Sequence, residues 1–264
     1  AFASFEKHYK TPMASLDPSA YVGFVLIDGM SGCEEKINER IGDLTNVTFI
    51  GGSAGDDLKF KSTYVYANGH AYVNAALLIL FKPSGKFSFL KTQSFVPSGK
   101  VLKVTKTNEA NREIIELNNK PATHAYAEAL GVPVDRLGDY LFKNPLGLMF
   151  GESPFVRSPR IIENDRVLFY CSVKKDMELS LLNSTDIIKD TARALEDKKK
   201  EMGGISAIVN FNCILRTLDL KQQNKTREYG ELFASIPTAG FSTYGESFIG
   251  HINQTATMLV LKDN

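Results

Sequence analysis

Residues able to do chemistry gather near the end of the chain, in Ala239-Gly-Phe-Ser-Thr-Tyr-Gly-Glu246 and His251-Ile-Asn-Gln-Thr-Ala256. Together they bring a carboxylate, an imidazole, two carboxamides and two aromatic rings next to paired glycines. The apolar run Thr257-Met-Leu-Val-Leu261 follows at once and reads as a strand rigid enough to anchor them. Upstream, Asn212-Cys-Ile-Leu-Arg216 turns from the strand Ile205-Ser-Ala-Ile-Val-Asn-Phe211 into a helical stretch ending near Phe233. One turn into that helix, the guanidinium of Arg216 is placed to grip a carboxylate, either that of Glu246 or that of a ligand. Cys213 sits where a helix N-terminus lowers a thiol pKa, although a small packed core residue is the commoner use of such a cysteine.

A third cluster is Gly51-Gly-Ser-Ala-Gly-Asp-Asp57, which follows the β-rich Val47-Thr-Phe-Ile50. Three glycines in five residues allow positive φ and close backbone approach, as in an anion-cradling nest or a ligand-lining loop. The spacing is neither that of a P-loop nor that of a dinucleotide fingerprint, and two adjacent carboxylates oppose phosphate. A structural turn is the competing reading. An enzyme reading combines Cys213 as nucleophile, His251 as base and the Gly51 to Gly55 loop as oxyanion donor, and it requires all three to converge.

The 264 residues are enough for one large domain or two ordinary ones. With 43% hydrophobic and 23% charged residues the chain reads as an ordinary globular protein, neither disordered nor membrane-embedded. Basic and acidic residues balance at 31 to 30, so net charge calls for neither nucleic acid nor a membrane as partner. Cys33, Cys171 and Cys213 are too few and too scattered for a disulfide framework or a zinc site, which points to a reducing, cytoplasmic setting. The opening Ala1-Phe-Ala-Ser-Phe, without an initiator methionine, reads as a processed or truncated beginning.

The elements that must hold these residues are legible in outline. Tyr21 to Ile27 reads as a buried strand and Cys33 to Ile41 as a helix with Glu34 and Glu35 favourably early in it. Asn68-Gly69 between β-rich segments predicts a tight hairpin. Strands are further expected over Lys86 to Thr92, Lys100 to Thr105 and Arg112 to Leu117. Pro121 and Gly131 bracket a helix from Ala122 to Leu130, and a second short helix is expected from Val134 to Phe142. After strands near Pro145, Arg160, Arg166 and Met177, Ser184 or Thr185 can cap a long amphipathic helix to about Met202. The expected class is mixed α/β (α+β): largely antiparallel sheets covered by helices, in two related or interlocked domains spanning residues 1–118 and 119–264.

Taken in this order and spacing, the Gly51 cluster, Phe211-Asn-Cys-Ile-Leu-Arg216, Gly240-Phe-Ser-Thr-Tyr-Gly-Glu246 and His251-Ile-Asn-Gln-Thr255 resemble the FIST family, named for F-box and intracellular signal transduction proteins. The first part resembles the later portion of a FIST N domain, and the remainder from about residue 120 resembles a FIST C domain. The resemblance implies a cytoplasmic, non-enzymatic sensory module that binds small ligands, amino acids among them. It implies output to a partner such as a histidine kinase, a chemoreceptor or a cyclic-dinucleotide signalling protein. Some relatives are described as haem proteins sensing nitric oxide, for which His8, His70, His124 and His251 are the available axial ligands here. A pure interaction module without a ligand is the other alternative. For a zwitterion, Arg216 would hold the carboxylate and Glu246 the ammonium, with Phe241 and Tyr244 as walls and Asn253 as hydrogen-bonding partner. Gly52, Ser53, Asp56, Asn212, Cys213 and His251 complete the expected ligand-binding set. The competing expectation is that Arg216 and Glu246 pair with each other inside the fold.

Overall fold

The computed structural model describes residues 1–263 and divides into two compact units. The first is made of Ala1–Gln93 together with residues 187–263, and the second is the intervening Ser94–Asp186. Both are mixed α+β with largely antiparallel sheets. The boundary expected before residue 119 lies within the second unit, at the Asn118-Asn119 turn between the strands Glu113–Leu117 and Lys120–Pro121. Both turn residues take positive φ, which asparagine tolerates better than other side chains.

Two sheets stack in the first unit. One runs in the order His251–Ile252, Glu246–Phe248, Phe49–Ser53, Val22–Ile27, Ala76–Phe81; the other runs Thr238–Thr243, Ala207–Cys213, Thr255–Lys262, Lys86–Gln93. Each contains one parallel pair, Val22–Ile27 beside Phe49–Ser53 and Ala207–Cys213 beside Thr238–Thr243, and is otherwise antiparallel. Period-two alternation sends Val22, Ile50, Phe211 and Leu259 into the layer between the sheets. There Phe24 meets Phe211 with ring centroids 5.7 Å apart, and Phe89 meets Phe248 at 6.0 Å. The alternate residues Val25, Ile27, Phe49 and Leu80 pack outward with Met13 and Ile41, under the helices Phe2–Tyr9 and Glu34–Leu44. Ile208, Met258 and Val260 pack against Leu195 of the helix Ile187–Met202 and against Phe233. The result is four layers, helix, sheet, sheet, helix.

In the second unit Phe95–Asn108 runs for 14 residues between the strands Glu178–Ser184 and Glu113–Leu117. The outermost strands of its sheet, Ser153–Arg157 and Pro159–Glu163, are separated in sequence by Ser158 alone, so the sheet curls into a nearly closed barrel. The helix Ala122–Leu130 supplies fully buried Tyr126, which packs with Ile114, Leu117, Val167 and Leu179 and donates its hydroxyl to the Asn144 carbonyl at 2.6 Å.

Several local expectations hold. Val65–Ala67 and His70–Tyr72 form the Asn68-Gly69 hairpin, and Gly131 caps its helix with φ of 76°. Others are corrected. The Val134 to Phe142 segment is a short 3-10 stretch, Val134–Asp139, because Gly138 and Asp139 weaken an α-helix. Ser184 belongs to a strand, and the long helix begins only at Ile187. The stretch toward Phe233 is two helices, Ile214–Gln222 and Thr226–Glu231, broken where Asn224 adopts φ of 56°.

Candidate functional site

All the motif residues lie in the first unit, where the strands bring them together. The glycine strand Phe49–Ser53 pairs with Glu246–Phe248, with Gly52 opposite Glu246 and Gly51 opposite Ser247. A Cβ on Gly51 would fall 1.8 Å from the Val25 carbonyl oxygen, one on Gly52 2.5 Å from Thr243 Cγ2, and one on Gly55 2.7 Å from the Tyr244 ring. These glycines are needed for close approach between strands rather than for cradling an anion. The Ser53 N–H donates to the Gly245 carbonyl at 2.9 Å, and Ser53 in turn accepts from the Tyr244 N–H at 3.0 Å. An oxyanion-donor role for the Gly51 to Gly55 loop is therefore not built at Ser53, whose amide is already committed.

In this loop the bound anion is the chain's own Asp56. Its carboxylate accepts from the backbone N–H groups of Phe60, Lys61 and Ser62 and from the Tyr244 hydroxyl at 2.7 Å. The Tyr244 hydrogen bond, followed by the amides, holds this carboxyl well below the usual carboxylate range. Burial, then the hydrogen bond to Asp56, pushes the Tyr244 phenol upward. Tyr244 also stacks on Phe60 with centroids 5.2 Å apart. It thus fastens the 56–62 loop to the signature segment rather than standing as an open wall.

Glu246, fully buried, accepts a short hydrogen bond from the Thr243 hydroxyl, and Thr255 donates both its N–H at 3.2 Å and its hydroxyl at 2.5 Å. The Cys213 thiol hydrogen-bonds to the same carboxyl. Burial outweighs these donors and raises the Glu246 pKa from 4.5 to about 7. Burial, then the neighbouring Glu246 charge, pushes the Cys213 thiol well above its ordinary range. The helix N-terminus does not activate Cys213, which is the small packed core residue that was the commoner expectation, because desolvation and a nearby carboxylate dominate. His251 is 3% exposed, faces the opposite way, and lies against Gly245, where an added Cβ would come within 2.2 Å of its Cε1. Register explains the separation. His251 pairs with Ser247, one residue on from Glu246, and alternation sends the two to opposite faces of the hairpin. Cys213 and His251 do not form a nucleophile–base pair.

Arg216 enters a different network, on the face of the four-stranded sheet that meets the helices. Only 3% exposed, it donates to Asn212 Oδ1 at 3.1 Å and to the Thr191 hydroxyl at 2.9 Å, and lies 5.8 Å over the Tyr229 ring. Tyr229 donates its hydroxyl to the same Asn212 Oδ1 at 3.1 Å. Asn212 Nδ2 donates to Thr217 Oγ1 at 3.1 Å, and Thr217 shares a 2.8 Å hydrogen bond with the Ser242 hydroxyl. Arg216 and Glu246, the expected clamp or ion pair, therefore occupy separate networks, since the partners of Glu246 are Thr243, Thr255 and Cys213.

Above the Arg216 network lies a cleft of about 330 Å³ between the edge strand Thr238–Thr243 and the helices Ile214–Gln222 and Thr226–Glu231. Asn210, Asn212, Thr217, Tyr229, Gly240 and Ser242 are among its lining residues. Of the expected set, Asn212 and Phe241 reach the cleft and Arg216 supports it, although the Phe241 ring packs on Phe211 at 5.7 Å. Gly52, Ser53, Asp56, Cys213, Tyr244, Glu246, His251 and Asn253 lie around the signature turn instead. Asn210 was missed by sequence reasoning. It is 9% exposed, and its Oδ1 has no hydrogen-bond partner. Its signal was a carboxamide two residues before Asn212, on the same face of the strand. Gly240 lies opposite it, where a Cβ would come within 1.8 Å of the Asn210 carbonyl oxygen.

A haem iron does not fit at His251, whose ring is enclosed, and His8, His70 and His124 are exposed side chains, His124 lying 3.8 Å from Asp165. Among the described residues no group of three or more His, Cys, Asp or Glu side chains could hold a metal ion, and no helix is long and apolar enough to cross a membrane.

Comparison with known proteins matches residues 1–120 to the FIST N domain and residues 122–248 to the FIST C domain. An uncharacterized protein of Methanocaldococcus jannaschii is 24% identical over 206 residues, which is 72% of this chain and 40% of that relative. The chain thus spans well under half the length of the curated relative it matches.

Proposed function

The chain belongs to the FIST family, whose domains are signal-transduction sensors rather than members of a known enzyme family, and on that premise we propose that it binds a small ligand in the Asn210–Ser242 cleft. Occupancy would then pass to a partner protein such as a histidine kinase, a chemoreceptor or a cyclic-dinucleotide signalling protein. One observation carries the reading. Residues of two motifs that carry the family resemblance, Asn212 from Phe211 to Arg216 and Gly240, Phe241 and Ser242 from Gly240 to Glu246, line this cleft, and Arg216, Asn212 and Tyr229 are tied together. A pre-organised polar floor below an open volume is the usual form of a small-molecule site. The fixed floor also gives a route to output, since a ligand touching Tyr229 or Thr217 biases the Ile214–Gln222 and Thr226–Glu231 helices directly.

Amino acids are the class to test first, because the family resemblance implies them. Purified protein is screened by thermal shift against amino acids, other carboxylates, haem and neutral small molecules. A ligand that binds only the native state raises the melting temperature by mass action, by about 2.7 kcal/mol of stability at one hundred times Kd. A dose-dependent shift that is lost in Thr217→Val, with the fold retained, supports the cleft. The absence of a shift with every compound rejects it in favour of a ligand-free interaction module.

A further inference from the structure

The cleft is lined by eleven residues, and not one of them is charged. The nearest candidate cation, Arg216, is 3% exposed and directed at Asn212, Thr191 and the Tyr229 ring. The candidate anion, Glu246, is fully buried in its own network with Thr243 and Thr255. A carboxylate or ammonium entering this cleft would meet no opposite charge among the residues that line it.

What the cleft does offer follows from the hydrogen-bond inventory. Asn212 Oδ1 is saturated by Arg216 and Tyr229, and its Nδ2 is directed at Thr217. Thr217, accepting from Asn212, can pass its own proton to Ser242 at 2.8 Å, which leaves the Ser242 O–H free to donate outward. Asn210, two residues along the same strand face, carries a nine-tenths-buried carboxamide whose oxygen has no partner. A carboxamide is a donor and an acceptor side by side, and its natural complement is a second amide-like edge bonded in two places. The Tyr229 ring, held by its hydroxyl and by Arg216, provides a flat apolar wall nearby.

We propose that the cleft takes an uncharged ligand presenting an amide-type edge, one N–H beside one C=O, as carried by a nucleobase, a lactam or a cyclic dipeptide. With the Asn210 side chain, whose oxygen is closed off from solvent here, turned toward the cleft, its carboxamide pairs with the ligand edge, a further acceptor takes the Ser242 hydroxyl, and the ring lies against Tyr229. This rests on the cleft being the sensory site, and it refines the ligand class from a zwitterion to a neutral compound.

Isothermal titration calorimetry and thermal shift of the full chain with uracil, adenosine, 2-pyrrolidinone and cyclo(Gly-Gly), alongside glycine, glutamate and arginine, test it. At least one neutral probe is expected to bind, with its Kd weakened about tenfold or more in Asn210→Ala and in Asn210→Leu, and less in Ser242→Ala. The arms separate nucleobase, lactam and cyclic-dipeptide sources. Asn210 Oδ1 holds nothing else in the protein, and circular dichroism checks that both variants keep the fold. Binding of the amino acids alone, lost on changing Asn210, overturns the neutral-ligand inference but leaves the sensory cleft standing. Binding of a neutral probe that is indifferent to Asn210 overturns the inference and places the ligand elsewhere. Binding by none of the probes, charged or neutral, overturns both.

Discussion

Replacing Glu246 by glutamine should remove one source of pH-dependent stability. The Glu246 carboxyl is fully buried, and its pKa is raised from 4.5 to about 7, with burial as the leading cause. A carboxyl raised in the folded state contributes stability that is complete below about pH 4.5 and is lost as pH climbs through about 7. The interval is about 2.5 pH units, and at about 1.4 kcal/mol per unit the full loss is about 3 to 4 kcal/mol. Glutamine cannot ionise yet has the same shape. Its oxygen can accept from the Thr255 N–H as Glu246 Oε2 does, and its amide can donate toward Thr243. Urea denaturation of both proteins between pH 5 and pH 8 gives the double difference, in which every other titrating group cancels. The stability of Glu246→Gln relative to the unsubstituted protein is expected to rise by about 2 to 3 kcal/mol across that window. Parallel profiles would refute the placement of an uncompensated carboxyl in this network.

Three further outcomes follow from the same geometry. Cys213, 1% exposed and with its thiol held protonated, should resist a thiol-specific label under native conditions and react only on unfolding, while partly exposed Cys33 reacts earlier; quantitative labelling of native Cys213 would contradict this. Gly245→Ala forces a Cβ to within 2.2 Å of the His251 ring and should cost about 1–3 kcal/mol in chemical denaturation, as overpacking does, whereas Gly250→Ala, with open space around it, should be nearly neutral. Tyr244→Phe deletes the hydroxyl shared by Asp56 and the Leu58 N–H, so the 56–62 loop should become more sensitive to proteolysis with a loss of about 1–3 kcal/mol; an unchanged cleavage rate would reject the fastening role.

The features that could be read from the sequence are the ones encoded locally. Asn68-Gly69 needs only its own positive-φ tolerance to make a hairpin, and Pro121 and Gly131 bracket a helix by backbone chemistry alone. The Ile187–Met202 helix shows its buried stripe, Ile187, Ile188, Thr191 and Leu195, in the linear order. Sheet partners that are distant in sequence carry no such mark. Lys86–Gln93 pairs with Thr255–Lys262 across more than 160 positions, which makes the first and last thirds of the chain one unit and sets Ser94–Asp186 apart. The side-chain networks around the motifs were hidden for a related reason. Arg216 and Glu246 looked like partners because each is a charged group near a motif, but the register of the strands puts them on different networks. Cys213 has a helix-terminal position that favours a lowered pKa, while its acidity is governed by burial and by Glu246, a neighbour 33 positions away. Asn210 was passed over inside an apolar run, although the two-residue spacing from Asn212 already placed both carboxamides on one face.

The most direct measurement is a two-dimensional amide-correlation NMR titration of the isotopically labelled chain with the best compound from the thermal-shift screen. Binding in the cleft predicts saturable shifts concentrated on Asn210, Thr217, Tyr229, Gly240 and Ser242, with smaller changes spreading into the Ile214–Gln222 helix. Saturable shifts that leave those residues unmoved and centre on the Glu246, His251 and Asn253 segment would contradict the account and move the ligand site to the signature turn.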